Sequence, residues 1–397
     1  MERLKIALVG LGQRGWTLWN GAIKHMSDVD VVAVCDSYLD RAESFEKEFE
    51  KAGKPCPKIY TDYKKCLDET NPDAVIVAAS WSAHIEVSLY AMEKGIAVGC
   101  EVGGAYSLES LWALVRCYEK TKTPIMMLEN CCFGKLELLA LNMKRLGLLG
   151  EIVHCDGGYC HDLRSEITGG IENRHYRLEE YLHRNCENYP THEIGPIAKL
   201  LDINCGNRFV SLHSFGSKAV GLESYINDKG LSNLQGKRFQ QSDVVTTVIK
   251  CQNGETVTIA LDTTLPRYYS RKFAVHGTKG FINEENSSVY LDSEFKEEIW
   301  NWKPHYNNIE QYYEKYNHPL WNEYEPKGGH DGMDWLCLRD FFENLMNGKP
   351  MSIDIYDMVT WMSITLLSEQ SLLTGQTVYF PDFTEGKWIL NKNSFLI

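Results

Sequence analysis

Lys5-Ile6-Ala7-Leu8-Val9-Gly10-Leu11-Gly12-Gln13-Arg14-Gly15 is the stretch on which the reading of this chain turns. Its first five residues have the length and apolar character of a central parallel strand. The strand enters a G-x-G-x-x-G loop, Gly10 to Gly15. The first glycine permits a tight turn, the second lets backbone approach a pyrophosphate, and the third lets the next helix pack on the strand. That helix begins near Arg14, so Gln13 and Arg14 sit where its N-terminal amides and dipole would face phosphates.

The motif is weak alone, and the chain around it supplies the missing context. Asp30 to Cys35 is a second apolar strand ending in Asp36. A dinucleotide fold places a carboxylate there to bind the adenosine ribose hydroxyls. An acid would repel a ribose phosphate, so the expected cofactor is NAD rather than NADP. Strand and helix patterns then alternate. Helices are expected over 40–51, 82–94 and 108–120, and extended segments over 57–60, 73–78, 96–100 and 124–128, the last two closed by Glu101 and by Glu129-Asn130. This is an α/β arrangement, a Rossmann doubly wound parallel sheet, with ligand groups at the carboxyl ends of its strands. The expected NAD-binding domain is 1–130.

From about residue 150 the pattern changes. Strands are expected over 151–161, 208–215, 243–251, 255–264 and 272–276, with Asn253-Gly254 as a hairpin signal. Runs of strands after alternating units imply a second, α+β domain with a large open, mainly antiparallel sheet, assigned to 131–397 for substrate binding and oligomerisation. Helices are expected over 336–346 and 354–371, the second packing back on the first domain.

Composition narrows the function. A length of 397 residues calls for two domains. The formal charge of −13 argues against nucleic acid and anionic membrane surfaces as partners. No segment reaches the roughly 20 apolar residues of a membrane span. The first strand begins almost at the N-terminus, leaving no room for a signal peptide, and the 13 cysteines are scattered without a C-x-x-C pair. Zinc and disulfide readings therefore lack their spacing, no metal is expected, and a reducing cytoplasm fits.

Four clusters carry candidate chemistry. Tyr159-Cys160-His161-Asp162 puts Tyr159 and His161 on one strand face. Tyr189-Pro190-Thr191-His192 opens a helix, which would align Tyr189 with His192. Arg267-Tyr268-Tyr269-Ser270-Arg271 is a polar break between strands, and Gly328-Gly329-His330-Asp331-Gly332-Met333-Asp334 reads as a mobile loop leading into a helix. For any one cluster alone, a satisfied structural Tyr or His is the plainer reading. Between Trp300 and Tyr324 lie eight Trp and Tyr residues, suited either to the C–H face of a sugar or to an oligomer contact. No serine-hydrolase elbow, zincin helix or P-loop is present, which leaves proton transfer by His and Tyr beside a nicotinamide.

Over nearly its full length the chain resembles the Gfo/Idh/MocA superfamily of glucose–fructose oxidoreductases and inositol dehydrogenases. More closely it resembles glycoside hydrolase family 109, the NAD-dependent α-N-acetylgalactosaminidases. The likeness is carried by CEVGGAYSLESLWALV from Cys100, MMLENCCFGKLELLALNMKRLGLLGEI from Met126, GGYCHDLR from Gly157, NYPTHEIGPIA from Asn188, LPRYYSR from Leu265 and GGHDGMD from Gly328. The Glu-Lys-Pro motif of the superfamily's dehydrogenases appears as Glu101-Val102-Gly103, without the lysine. Their Asp-x-Gly-x-His signature appears as Asn188-Tyr189-Pro190-Thr191-His192, keeping only the histidine. Both departures belong to the glycosidase branch, although family 109 usually has Glu-Val-Pro at the first.

The resemblance implies a glycosidase that holds NAD+ tightly and regenerates it each turnover. The substrate C3 hydroxyl is oxidised, the acidified C2 proton is removed, the C1 substituent leaves, water adds and the hydride returns. It also implies His192 as the base at C3, and Tyr159, His161, Tyr189 and Tyr269 as pocket groups handling the C2 proton and leaving oxygen, in an order the sequence leaves open. Gly10, Gly12, Gln13, Arg14, Gly15, Asp36, Glu101 and Asn130 are expected to hold cofactor, and Arg267 and His330 to contact the glycoside. Two other functions compete: an NAD-dependent sugar or inositol dehydrogenase releasing NADH, and a non-catalytic sugar or cofactor sensor. The missing lysine counts against the first and the Tyr and His clusters against the second. The open sheet implies a homodimer or higher homo-oligomer.

Overall fold

The computed structural model describes residues 3–296, 298, 300–393, 395 and 396. They form two compact units. The first comprises residues up to Phe133 together with Tyr324–Val359, and the second is Gly134–Glu323 with Thr360–Asn393.

The first unit is built on six strands: β1 (Leu4–Val9), β2 (Val29–Cys35), β3 (Lys58–Tyr60), β4 (Ala74–Val77), β5 (Ala97–Cys100) and β6 (Ile125–Met127). All are parallel, in the order β3-β2-β1-β4-β5-β6. That is the doubly wound order, whose reversal between β1 and β4 opens a crevice at the carboxyl ends of the strands. Ile6, Ala7, Val34, Val75, Val77 and Val98 are all buried, as a sheet covered on both faces requires. Helices Leu39–Lys51, Trp81–Glu93 and Leu108–Thr121 follow the expected bounds closely, whereas Tyr63–Thr70 was not anticipated. Its eight residues are rich in polar side chains, with only Cys66 and Leu67 buried, so its apolar stripe is too thin to read.

The second unit carries β7 (Ile152–Cys160), β8 (Phe209–Gly216), β9 (Val244–Cys251), β10 (Thr256–Asp262), β11 (Ala274–Gly277), β12 (Gly280–Asn283), β13 (Ser288–Leu291) and β14 (Val378–Tyr379). They form one sheet ordered β13-β12-β11-β7-β10-β9-β8-β14. Only β7 and β10 pair in parallel. The Asn253-Gly254 signal is the β9–β10 turn, with Gly254 at φ 109°. Helix Thr191–Leu200 lies on β7, where a Cβ on Gly157 would meet Ile197 Cδ1 at 3.0 Å.

The compact units do not follow the expected division at 131 throughout: Tyr324–Val359, within 131–397, groups with the first unit. Phe341 explains why: together with Leu128 and Ile76 it encloses Gly99 on β5. The helix expected over 354–371 runs Ile355–Thr374 and is divided, Ile355–Val359 belonging to the first unit and the remainder to the second. The aromatic segment is also more divided than its composition implied. Tyr312 is buried and donates to Glu294 at 3.0 Å, while Trp300, Trp302 and Tyr306 are exposed. Among the described residues no helix is long and apolar enough to cross a membrane.

Candidate functional site

In the first unit the three loop glycines meet three different demands. Gly10 has φ 95°, and a Cβ there would lie 2.3 Å from Ala79 N. A Cβ on Gly15 would lie 2.1 Å from Gly10 O, so the helix can sit on the turn only without one. At Gly12 the nearest atom is an Arg41 nitrogen at 3.7 Å, leaving open the face by which a diphosphate would approach. Helix Gln13–Gly21 starts directly after it with no acidic residue in its first turn, so its amides and dipole favour an anion. Asp36 is buried; its Oδ2 accepts from Leu11 N–H at 2.8 Å and its Oδ1 from Tyr38 N–H at 3.0 Å. Each carboxylate oxygen has a further lone pair, the acceptors that ribose hydroxyls need. These residues fit a dinucleotide.

Arg14, Glu101 and Asn130, also expected to hold cofactor, are joined in one network through Asp334, which also includes His330, expected at the glycoside. Arg14 Nε donates to Glu101 Oε1 at 2.8 Å, and Nη1 and Nη2 each donate to Asp334 at 2.9 Å. Asn130 Nδ2 also donates to Asp334, at 2.8 Å, and His330 Nδ1 lies 2.8 Å from its other oxygen. Burial opposes ionisation of Asp334, yet the Arg14 charge and the hydrogen bonds from His330 and Arg14 hold its carboxyl well below the ordinary range. The loop expected to be mobile is therefore tied down. Asp334 was named within this cluster but given no role; its signal was an acid four residues after His330, at the start of helix Met333–Met346.

The departure at Gly103 has a local cause. A Cβ there would fall 2.5 Å from Cδ1 of the buried Trp81. With this tryptophan in place, the usual proline has no room.

In the second unit the five residues marked for proton transfer come together. Tyr159 and Tyr189 have ring centroids 4.4 Å apart, and His192 lies 5.5 Å from Tyr159 and 4.8 Å from Tyr189. His161 is 6.0 Å from Tyr159 and 5.3 Å from Tyr269. Local geometry accounts for the gathering. Tyr159 is the penultimate residue of β7, and backbone bonds between Cys160 and Ser270 hold the 267–271 segment against the strand's end. Tyr189 precedes helix Thr191–Leu200 and His192 lies in its first turn. Arg267 does not point freely at a ligand, since its guanidinium donates to Asp262.

Sequence reading missed Arg177. Its guanidinium, almost wholly buried, lies 4.9 Å over the Tyr189 ring and 3.2 Å from Glu166. Nothing in His175-Tyr176-Arg177-Leu178 distinguishes it from a surface helix arginine; only burial among phenols does. Burial first, and the Arg177 charge second, push the His161 imidazole below its ordinary range, so it is neutral near pH 7 and able to accept a proton. Its Nδ1 is buried with no hydrogen-bond partner among the described residues. A buried ring nitrogen without a partner is what a site awaiting a polar ligand leaves behind.

Residues 4–128 match the oxidoreductase family with an NAD-binding Rossmann fold, and residues 133–390 match the glycosyl hydrolase 109 C-terminal domain. The chain belongs to glycosyl hydrolase family 109. Among its relatives, a glycosyl hydrolase family 109 protein of Stenotrophomonas maltophilia is 39% identical over 99% of this chain and 92% of its own length. An α-N-acetylgalactosaminidase of Tannerella forsythia is 36% identical over 99% and 89%. Solved structures similar in fold include an NAD-binding oxidoreductase from Klebsiella pneumoniae, with TM-score 0.68, 15% identity and coverage of 95% of this chain and 98% of that one. A myo-inositol 2-dehydrogenase from Lactobacillus plantarum has TM-score 0.66 and 16% identity, with coverage of 96% and 100%. The family 109 relatives share sequence throughout, whereas the dehydrogenases share the fold alone.

Proposed function

We propose that this family 109 member is an NAD-dependent glycosidase for α-N-acetylgalactosaminides, holding its cofactor tightly and restoring it each turnover. The observation that carries this reading is the ring cluster. Its groups fit for proton transfer are phenols and imidazoles, beside a buried guanidinium, in a chain that also has a dinucleotide cradle. A conventional glycosidase would use two carboxyl groups, and NAD-dependent glycosidases are the known exception. When bound in the cradle of Gly10, Gly12, Gly15 and Asp36, oxidised NAD supplies a two-electron acceptor for the C3 hydrogen that is given back at the end, so net chemistry is hydrolysis.

The protein's own groups handle protons and charge. His192 takes the C3 hydroxyl proton. His161 and the phenols of Tyr159, Tyr189 and Tyr269 serve the C2 proton and the leaving oxygen. Arg177 places a fixed positive charge beside Tyr159 and Tyr189, which lowers the cost of negative charge on a phenol or on the enolate formed when C2 is deprotonated.

The test is incubation of the purified protein with an aryl α-N-acetylgalactosaminide in deuterated water, with no NAD added. Phenol release with deuterium at C2 and no net NADH is expected. Stoichiometric NADH would instead identify a dehydrogenase, and no turnover across a panel of glycosides would leave a sensor.

Homo-oligomer formation through the open sheet face has support in Phe215, Val248 and Tyr379, all exposed. The strand register puts all three on the face opposite helix Thr191–Leu200. Sedimentation would show a species of at least two chains, reduced by Phe215→Glu. A reducing cytoplasm suits 13 cysteines that all stand as thiols rather than disulfides.

A further inference from the structure

Gly329, His330, Asp331 and Gly332 follow one another with φ of 62°, 45°, 54° and 95°. Left-handed backbone is disfavoured wherever a Cβ is present, and His330 and Asp331 carry one. A bend of this kind persists only where its surroundings hold it.

Asp334 is what holds it. Its side chain is fully buried and takes hydrogen bonds from Arg14 Nη1 and Nη2, Asn130 Nδ2 and His330 Nδ1. Arg14 is the second residue of the helix that caps the glycine loop, and its remaining Nε–H is held by Glu101. The loop also lies directly on that helix. A Cβ on Gly21 would fall 3.1 Å from Gly329 N, and one on Gly328 would fall 3.4 Å from Gly21 Cα. A Cβ on Gly329 would meet Asp334 Oδ2 at 2.8 Å. One cation shared by two buried carboxylates is not offered to a phosphate. It is used to tie two loops together.

We propose that Asp334 is a positioning residue for the dinucleotide: through Arg14 and His330 it locks the Gly328–Gly332 loop onto the helix of the glycine loop, and this lock sets how slowly NAD leaves. The inference rests on the resident-NAD reading. It deepens that reading by assigning retention to an ionic latch beside the cradle. Anion binding itself remains with the helix amides.

The experiment compares wild type, Asp334→Asn and Gly329→Ala. Asp334→Asn keeps the shape but weakens the acceptors, and Gly329→Ala breaks the loop contact without changing a charge. A control, Leu111→Ala, truncates a buried core side chain on helix Leu108–Thr121 of the same unit. Each protein is assayed for NAD after denaturation. It is then stripped, reloaded with NADH, and followed by fluorescence during a chase with NAD+, alongside the melting temperature of the stripped form. Asp334→Asn and Gly329→Ala should each release nucleotide at least 10-fold faster than wild type, and faster than a Leu111→Ala protein of equal or lower melting temperature. The lock is overturned if Asp334→Asn releases no faster than wild type, or if Leu111→Ala releases as fast. If wild type itself neither carries nor retains nucleotide, the resident-NAD reading fails instead, a result distinct from both.

Discussion

The dinucleotide cradle and the Tyr–His cluster are finished in opposite ways. Around the glycine loop the charges are matched: Arg14 lies between Glu101 and Asp334, and both oxygens of Asp36 already accept backbone N–H groups. In the cluster, His161 keeps a buried nitrogen with no partner among the described residues, and the buried Arg177 cation lies over the Tyr189 ring as well as 3.2 Å from Glu166. The difference separates the demands of the two tasks. Holding a cofactor needs fixed, satisfied geometry. Moving protons needs groups whose alternative protonation states stay close in free energy.

The sharpest way to break this contrast is at His192. His192→Ala should lower kcat by about 10²–10⁴-fold, the usual contribution of a positioned acid–base group, with NAD content unchanged. Equal loss of NAD would merge the two regions into one binding site. The converse variant is Gly10→Ala, whose added Cβ would fall 2.3 Å from Ala79 N. It should abolish NAD co-purification and cost about 1–3 kcal/mol in a denaturant titration, since the clash is with backbone.

The third variant is at a pair of buried acids. Glu187 and Glu193 flank Tyr189 and His192 and are both fully buried. Burial raises both carboxyl groups, and the mutual repulsion of the pair raises Glu193 further; Ala260 N–H donates to Glu193 at 3.1 Å. The folded state thus keeps protons that the unfolded chain gives up above the ordinary Glu range, so stability falls as pH rises. Glu187→Gln should remove part of that fall. Relative to wild type it gains on the order of 1 kcal/mol per pH unit above about 4.5, read from melting at a series of pH values. A constant difference across pH 5–8 would refute the raised Glu187 carboxyl.

A smaller effect is expected at Gly103→Ala, destabilising by about 1–3 kcal/mol through the Trp81 contact and relieved by Trp81→Phe. The smallest is kinetic. Arg177→Met removes a charge that lowers His161, so the acid limb of kcat/KM should move to higher pH. An unmoved limb would mean that His161 does not titrate in the reaction.

How far these regions were legible follows from the range of the forces involved. β1, the glycine loop and Asp36 were readable because a tight turn, a close helix and a ribose acceptor each demand a residue type at short spacing. The five ring residues could be named from motifs matching family 109, and their partners could not. Arg177 looks like any helical arginine until Tyr189 closes over it. That Tyr324–Val359 groups with the first compact unit was not readable, because nothing local in Phe341 says that it packs beside Gly99.

The amino-acid sequence by itself determined the parallel sheet, the cradle and the residue types available for proton transfer, because strand periodicity and glycine sterics act over a few residues. Tertiary structure alone decided that Arg14 would meet Asp334 across 320 positions and that Arg177 would sit among phenols. It also decided that His161 would keep a buried nitrogen with no partner among the described residues. Charge pairing and desolvation depend on what lies within a few ångströms in space, and only the folded chain specifies that.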